Sequence, residues 1–230
     1  MPCVVGVDVL RELESRAPAG LSPVRARLRR DALALIRTDG LVAAAYSFGI
    51  IPLDRPAAAT LHAGGEAIHA PRLLPESGEL TAVAAGVCTL GPGVEERVTA
   101  LFAQKRGSLA LALDSVASEM LFALGRRVQD RMLADARRRR LSMAGELRAG
   151  DPGLDISEQA AVLRLAGARS IGVELVRGQL MVPLKSTSML LGVGRDLPAV
   201  NWSRCDDCPS QPKCALGRTR PGAATPVETL

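Results

Sequence analysis

The chain has 230 residues, 47% of them apolar and 23% charged, which excludes a disordered, collagen-like or disulfide-scaffold protein and leaves material for a sizeable core. Net charge is +5, and aromatics are limited to three Phe, one Tyr and one Trp. The core must therefore be Leu, Val and Ala, and the stacking platforms of single-strand nucleic-acid binding are missing, so no nucleic-acid partner is expected.

Residues 8–16 and 22–47 read as helices, with Asp8 as a cap for the first and Pro23 at the start of the second, where a missing N–H costs nothing. Arg25, Arg29 and Arg30 then face outward, and a Pro-rich stretch at 52–56 ends an N-terminal helical arm, residues 1–56. The apolar run at 41–53 is too short to span a bilayer, and Met1-Pro2-Cys3-Val4-Val5 has no basic, then apolar leader pattern. The expectation is a cytoplasmic protein without a membrane partner.

A core of residues 57–194 follows. Segments 58–69 and 80–90 read as strands, the second a near-continuous small apolar run that suits burial on both faces. Pro92 opens a helix with Glu95 and Glu96 in its first turns, ending near Gly107. A long helix, 108–140, has an apolar first half, expected to be buried on most sides, and a basic end at Arg137 to Arg140 that complements the helix dipole. Asp114, Ser118 and Glu119 lie in that apolar half, where polar groups need partners. Residues 145–155 read as a Gly/Pro/Asp loop. A short helix capped by Asp155, with Glu158 three residues on, stops at Gly167. Strands at 171–176 and 179–192 are joined through Arg177-Gly178. From there composition shifts to a cysteine-rich segment, 195–216, and a loose tail, 217–230.

Cys205, Cys208 and Cys214 form a C-x2-C-x5-C cluster stiffened by Pro209 and Pro212. Thiolates gathered on one short irregular segment grip a soft metal centre, which replaces the missing apolar core. An iron–sulfur cluster, 4Fe–4S, fits best, since Pro follows a cluster cysteine. Structural zinc is the alternative, although paired C-x2-C knuckles are absent. Plain reduced thiols are a third reading. Cys3, Cys88, His62 and His69 are the other possible ligands, and an open fourth iron site is a further option. The spacing does not match C-x3-C-x2-C of radical S-adenosylmethionine enzymes.

Ahead of that cluster the order of short motifs is Thr89-Leu90-Gly91, Val94-Glu95-Glu96-Arg97-Val98, Leu113-Asp114-Ser115 with Ser118-Glu119, then Met181-Val182-Pro183-Leu184-Lys185-Ser186-Thr187-Ser188 leading to Gly192. Over residues 20–194 this resembles the activation (reactivation) domain of cobalamin-dependent methionine synthase, in a stand-alone form with a C-terminal cysteine cluster. The resemblance implies a single α+β domain with a twisted, mainly antiparallel sheet and long helices. It also implies S-adenosylmethionine binding in a shallow groove and docking over a cob(II) corrinoid protein such as methionine synthase. An electron donor and a methyl group then restore methylcobalt.

The residues that the resemblance offers for the S-adenosylmethionine groove are Asp114, Ser118, Glu119, Arg148, Ser186 and Ser188. Asp114 and Glu119 lie about 140° apart around a helix and cannot share a face, whereas Asp114 and Ser118 do. Ser186 and Ser188 point to one side of a strand. Each also has a plainly structural reading as a satisfied buried group, an exposed strand polar group or, for Arg148, a solvated loop charge. The family's Pro-Gly-Tyr turn is altered: Asp151 follows Gly150, Arg148 is shifted by two, and Met189, Leu190 and Leu191 replace an aromatic. Three functional readings stand at this point: an S-adenosylmethionine-binding activator, a corrinoid-protein docking and electron-transfer partner that does not bind S-adenosylmethionine, and a zinc-stabilised interaction module.

Overall fold

The structure, a computed structural model, describes residues 20–200. The first helix, α1 (Pro23–Thr38), is opened by Ser22, whose hydroxyl accepts the Arg25 N–H at 3.4 Å, and by Pro23 at its first position. Ala32, Leu33 and Ile36 form its buried stripe. The helix expected over 22–47 stops here: Asp39 caps it, Gly40 turns the chain at φ 60°, and β1 (Ala45–Pro52) follows. Thr38-Asp39-Gly40 is a turn signal that outweighs the apolar residues after it. The helix expected over 8–16 lies outside the described residues.

Next come the hairpin β2 (Thr60–Ala63) and β3 (Glu66–His69), then β4 (Glu79–Thr89), α2 (Gly93–Ala103) and α3 (Gly107–Arg138). Residues expected as loop begin with a strand, β5 (Ser142–Leu147), which bulges near Gly145 at φ 68°. Its interrupted register hides it from any period-2 pattern. A single 3-10 turn capped by Asp155 leads into α4 (Gln159–Ala166), which ends at Gly167 in the left-handed conformation. The last expected strand is divided by the cis Val182–Pro183 bond into β7 (Leu180–Val182), which pairs with β6 (Glu174–Val176), and β8 (Ser186–Arg195).

The main sheet has the order β1-β4-β8-β5, all pairs antiparallel. The fold is thus a single α+β domain, and α1 and β1 are part of its core. Both faces of β4 are covered, which explains its small, apolar sequence. Ala82, Ala84 and Cys88 face α3, while Val83, Ala85 and Val87 face α4. The small side chains let the helix approach closely: a β-carbon on Gly86 would sit 3.1 Å from the Met132 sulfur. α3 crosses the sheet, chiefly over β4, with Leu113, Val116, Met120, Leu124, Val128 and Met132 in the core. Its first half is covered on most sides, as expected, but one stripe is open and leaves Leu111 64% exposed. By length and composition alone this helix is apolar enough to cross a membrane, and 44% of its most apolar stretch is buried inside the fold.

Candidate functional site

At the start of β8 the strand, α3 and the end of β5 bring polar side chains together. The Lys185 ammonium donates to Asp114 Oδ1 at 2.8 Å and to Ser118 Oγ at 2.9 Å. Ser118 in turn donates to the Asp114 carbonyl at 3.0 Å, as their four-residue spacing on one helix face allows. Lys185 is mostly covered while Asp114 is half exposed, so the pair opens to solvent from the carboxylate side. Two residues further along β8, Thr187 Oγ1 accepts from the Arg148 guanidinium at 3.0 Å. Arg148 is also bonded to Glu146 Oε1 at 3.0 Å and lies over the Phe122 ring, 5.6 Å from its centre. Gly125, one turn past Phe122 on α3, leaves room for Arg148 and Thr187: a β-carbon there would be 3.7 Å from the guanidinium.

The loop after β5 fixes Arg148 from below. Asp151 Oδ2 accepts the Arg148 N–H at 2.9 Å, and the Asp151 N–H donates to the Arg148 carbonyl at 2.8 Å. The result is two cations and two carboxylates, arranged along about two strand residues, with an aromatic ring under Arg148. Such a surface suits a ligand with separate ammonium and carboxylate groups, which can exchange into the two ion pairs.

The other expected site residues lie elsewhere. Glu119 points away from Lys185 and accepts from Arg29 of α1 at 2.7 Å, in a mostly buried ion pair that joins the two helices. Ser186 and Ser188 are buried on the α4 side of the sheet, opposite Thr89 and Val87. Ser186 Oγ donates to the Pro183 carbonyl at 2.6 Å and lies 2.9 Å from Thr89 Oγ1, which accepts the Gly91 N–H. That network fastens the end of the β4–β8 ladder. Of the six residues, the structure therefore gathers Asp114, Ser118 and Arg148 in one place. It adds four that sequence reasoning had not assigned to the site: Phe122, Glu146, Lys185 and Thr187. Strand parity groups Lys185 and Thr187 with Met189 and Leu191, and the packing of those two against α3 shows which face the group occupies.

Cys205, Cys208, Cys214 and Cys3 lie outside the described residues. Among the described residues no group of three His, Cys, Asp or Glu is placed to hold a metal ion. Cys88 is buried in the core, and burial pushes its thiol up to about 12, against a smaller opposing pull from Arg148. A protonated thiol facing α3 is a poor metal ligand. His62 and His69 are on the β2–β3 hairpin, where His69 Nδ1 lies 3.4 Å from Thr60 Oγ1. Two concavities are separate from the polar cluster. One, of about 110 Å³, lies between Arg72, Leu74, Gly145 and residues 197–200; the other, an open groove of about 590 Å³, runs beside α4 past Leu163, Arg164, Ala168 and Val173. Both carry charged side chains as well, Arg164, Arg169 and Glu174 in the groove and Arg72 and Glu76 in the smaller one, but neither lies at the Lys185–Arg148 end of the sheet.

No family model matches the chain, and no curated protein matches it. A solved structure does: the crystal structure of the MetH reactivation domain bound to AdoHcy is similar, with a TM-score of 0.59 and 17% identity over 84% of this chain and 71% of that one. At that identity the likeness is one of fold, and it gives this chain an activation-domain-like α+β architecture.

Proposed function

We propose that this chain is a cytoplasmic S-adenosylmethionine-binding activator that supports reductive remethylation of a cob(II) corrinoid protein, such as a methionine synthase. The observation that carries the reading is the convergence of Asp114, Lys185, Arg148 and Glu146 at one end of a sheet whose fold is like that of a reactivation domain bound to AdoHcy. The amino-acid end of S-adenosylmethionine is zwitterionic. Its ammonium matches Asp114 or Glu146, and its carboxylate matches Lys185 or Arg148. The Phe122 ring, which carries Arg148 on its face, adds an apolar floor to that end of the surface.

In the reaction the substrate is the partner's cob(II) centre. One electron from a separate electron-donor protein reduces it to cob(I), whose electron pair then attacks the sulfonium methyl. The carbon–sulfur bond breaks, its electrons stay on sulfur, and methylcobalt and AdoHcy result. This chain contributes binding and orientation of the methyl donor. An iron–sulfur cluster on Cys205, Cys208 and Cys214 would supply low-potential electron transfer when bound. Those three thiols are a soft donor set suited to iron–sulfur or zinc. The described residues supply no competing site.

A second reading is favoured by one feature. Arg148 is already engaged by Glu146 and Thr187, so a ligand carboxylate must open that ion pair. In that case the chain docks a corrinoid protein and passes electrons without binding S-adenosylmethionine. Calorimetry separates the two: the activator binds S-adenosylmethionine, and Asp114→Asn weakens it. No heat and no thermal shift at millimolar ligand would leave only the docking reading. The decisive assay is anaerobic, with a cob(II) corrinoid protein, reductant and S-adenosylmethionine; the cob(II) spectrum should fade only when this chain is present. An anaerobically purified brown protein absorbing near 400 nm, colourless after Cys208→Ala, supports the cluster over zinc.

A further inference from the structure

The smaller concavity, of about 110 Å³, is built where three segments meet beside the edge strand β5. The 3-10 turn Pro71–Leu73 and the residues after it supply Leu73, Leu74 and Pro75. The β5 bulge supplies Gly145, and the chain leaving β8 supplies Leu197 and Val200. That exit is fixed: Leu197 donates its N–H to Ser142 Oγ at 2.8 Å, and Ser142 donates to the Gly194 carbonyl at 3.1 Å. A β-carbon on Gly192 would meet the Ala144 carbonyl at 3.3 Å and the Leu73 carbonyl at 3.6 Å, so the cavity lies at the level of Gly192. Its walls are mainly apolar, and Leu74 and Val200 are each left 38% exposed around it.

We propose that the indole of Trp202 fills this cavity and moors the cysteine segment there. Three arguments select this occupant. The first is reach: Trp202 is two residues past Val200, which itself lines the cavity, and two residues span at most about 7 Å. The second is sequence: between Val200 and Cys214, Trp202 is the one large apolar side chain, set among Asn201, Ser203 and Arg204. The third is fit. A cavity of about 150 Å³ holds benzene, so one of about 110 Å³ that opens to solvent takes the body of an indole and leaves its edge wet. Arg72 and Glu76 also line it, a cation and a hydrogen-bond acceptor of the kinds an indole takes. The consequence concerns the metal centre. Cys205 is three residues further on, within about 11 Å of Trp202, whereas seven residues of chain, about 23 Å of strand, separate Gly192 from Lys185. The cysteine segment thus starts from a surface separate from the polar cluster. This holds whether or not the chain binds S-adenosylmethionine.

The test uses the full chain, in which Trp202 is the only tryptophan, so intrinsic fluorescence reads this residue alone. Wild-type emission should lie to the blue of free tryptophan, with acrylamide quenching at least about threefold weaker. Leu74→Glu puts a charge on the cavity wall at an exposed position, so the melting temperature should stay near wild type while emission moves to the red and quenching at least doubles. Trp202→Ala should speed trypsin cleavage after Arg204 at least about fivefold, because backbone released from its docking site is cut more readily. A wild-type indole that emits like free tryptophan and is fully open to acrylamide would overturn the proposal. So would a shielded indole that Leu74→Glu leaves unmoved, which puts it elsewhere. Shielding that vanishes on dilution, as a dimer dissociates in sedimentation, would make the occupant a second copy's tryptophan and overturn it too.

Discussion

Glu119 is the residue on which sequence and structure divide most sharply, and Glu119→Gln tests the division. The substitution keeps the shape and removes the charge. In the folded chain Glu119 Oε1 meets Arg29 at 2.7 Å, and the two side chains are 19% and 10% exposed. A charge-assisted hydrogen bond of this kind contributes about 1.5–3 kcal/mol, and removing one charge of a mostly buried pair also weakens the compensation of the other. The expected loss is about 2–3 kcal/mol, which for a chain of this size lowers the melting temperature by roughly 4–12 °C. High salt should not erase the difference, because a covered pair is weakly screened. Asp114→Asn is the control: Asp114 is 50% exposed in its pair with Lys185, so its stability cost should be under about 0.5 kcal/mol. The double change Arg29→Met with Glu119→Leu should recover most of the loss, since an apolar pair can replace a buried ionic one. Thermal melts and urea titrations read stability, and calorimetry reads S-adenosylmethionine binding. A Glu119→Gln variant with an unchanged melt and a weakened ligand would restore Glu119 to the ligand site and refute this reasoning.

Three further outcomes follow from particular contacts. Gly194→Ala should destabilise by about 2–3 kcal/mol in a urea titration, because a β-carbon there would overlap the Glu79 carbonyl oxygen, and paired backbone cannot yield as a side chain can. Cys88, with its thiol pushed up to about 12, should resist iodoacetamide at pH 8 in the native chain and react only after denaturation; labelling at the rate of a free thiol would contradict its burial. Hydrogen bonds from Arg164 hold the Glu66 carboxyl below the usual range, and Arg138, with Arg139, does the same for Asp135. Their folded pKa values lie below the unfolded ones, so their stabilisation is present above about pH 4.5 and is lost as pH falls through the folded values. Glu66→Gln and Asp135→Asn should each flatten that acid limb by less than about 1 kcal/mol, because solvent screens both pairs.

Much of the fold was legible because it is written in local chemistry. Pro23, Pro92, Asp155 and Gly167 mark helix ends by their own conformational limits, and all four stand at or beside the observed boundaries. The continuous apolar run of β4 correctly announced a strand covered on both faces. Elements whose identity depends on distant partners were harder. β5 has no clean alternation, since the bulge near Gly145 breaks its register, and it becomes a strand only because β8 lies beside it. β1 continues the apolar character of α1, and its pairing with β4 decides its conformation.

The site was harder still, and for a reason that makes a prediction. β8 is buried on both faces, so alternation in its sequence does not say which parity faces the helix: Ser186, Thr187 and Ser188 are all covered. Only the register resolves it. Thr187 lies opposite Cys88, whose side chain belongs to the core beneath α3, so Thr187 and Lys185 share that side and the two serines do not. Thr187 Oγ1 is the acceptor that aims Arg148 across the Phe122 ring. Thr187→Val preserves volume and β-branching while deleting that acceptor, which leaves Arg148 held at its side-chain end by Glu146 and the Phe122 ring. A hydrogen bond to a charged group is worth about 1.5–3 kcal/mol, so S-adenosylmethionine affinity should fall at least about tenfold through the lost orientation. Ser188→Ala, on the far face, should change it by less than twofold. The opposite pattern, with Ser188 sensitive and Thr187 silent, would mean that the methyl donor sits on the α4 side of the sheet, and the Lys185–Arg148 surface would be reduced to a structural network.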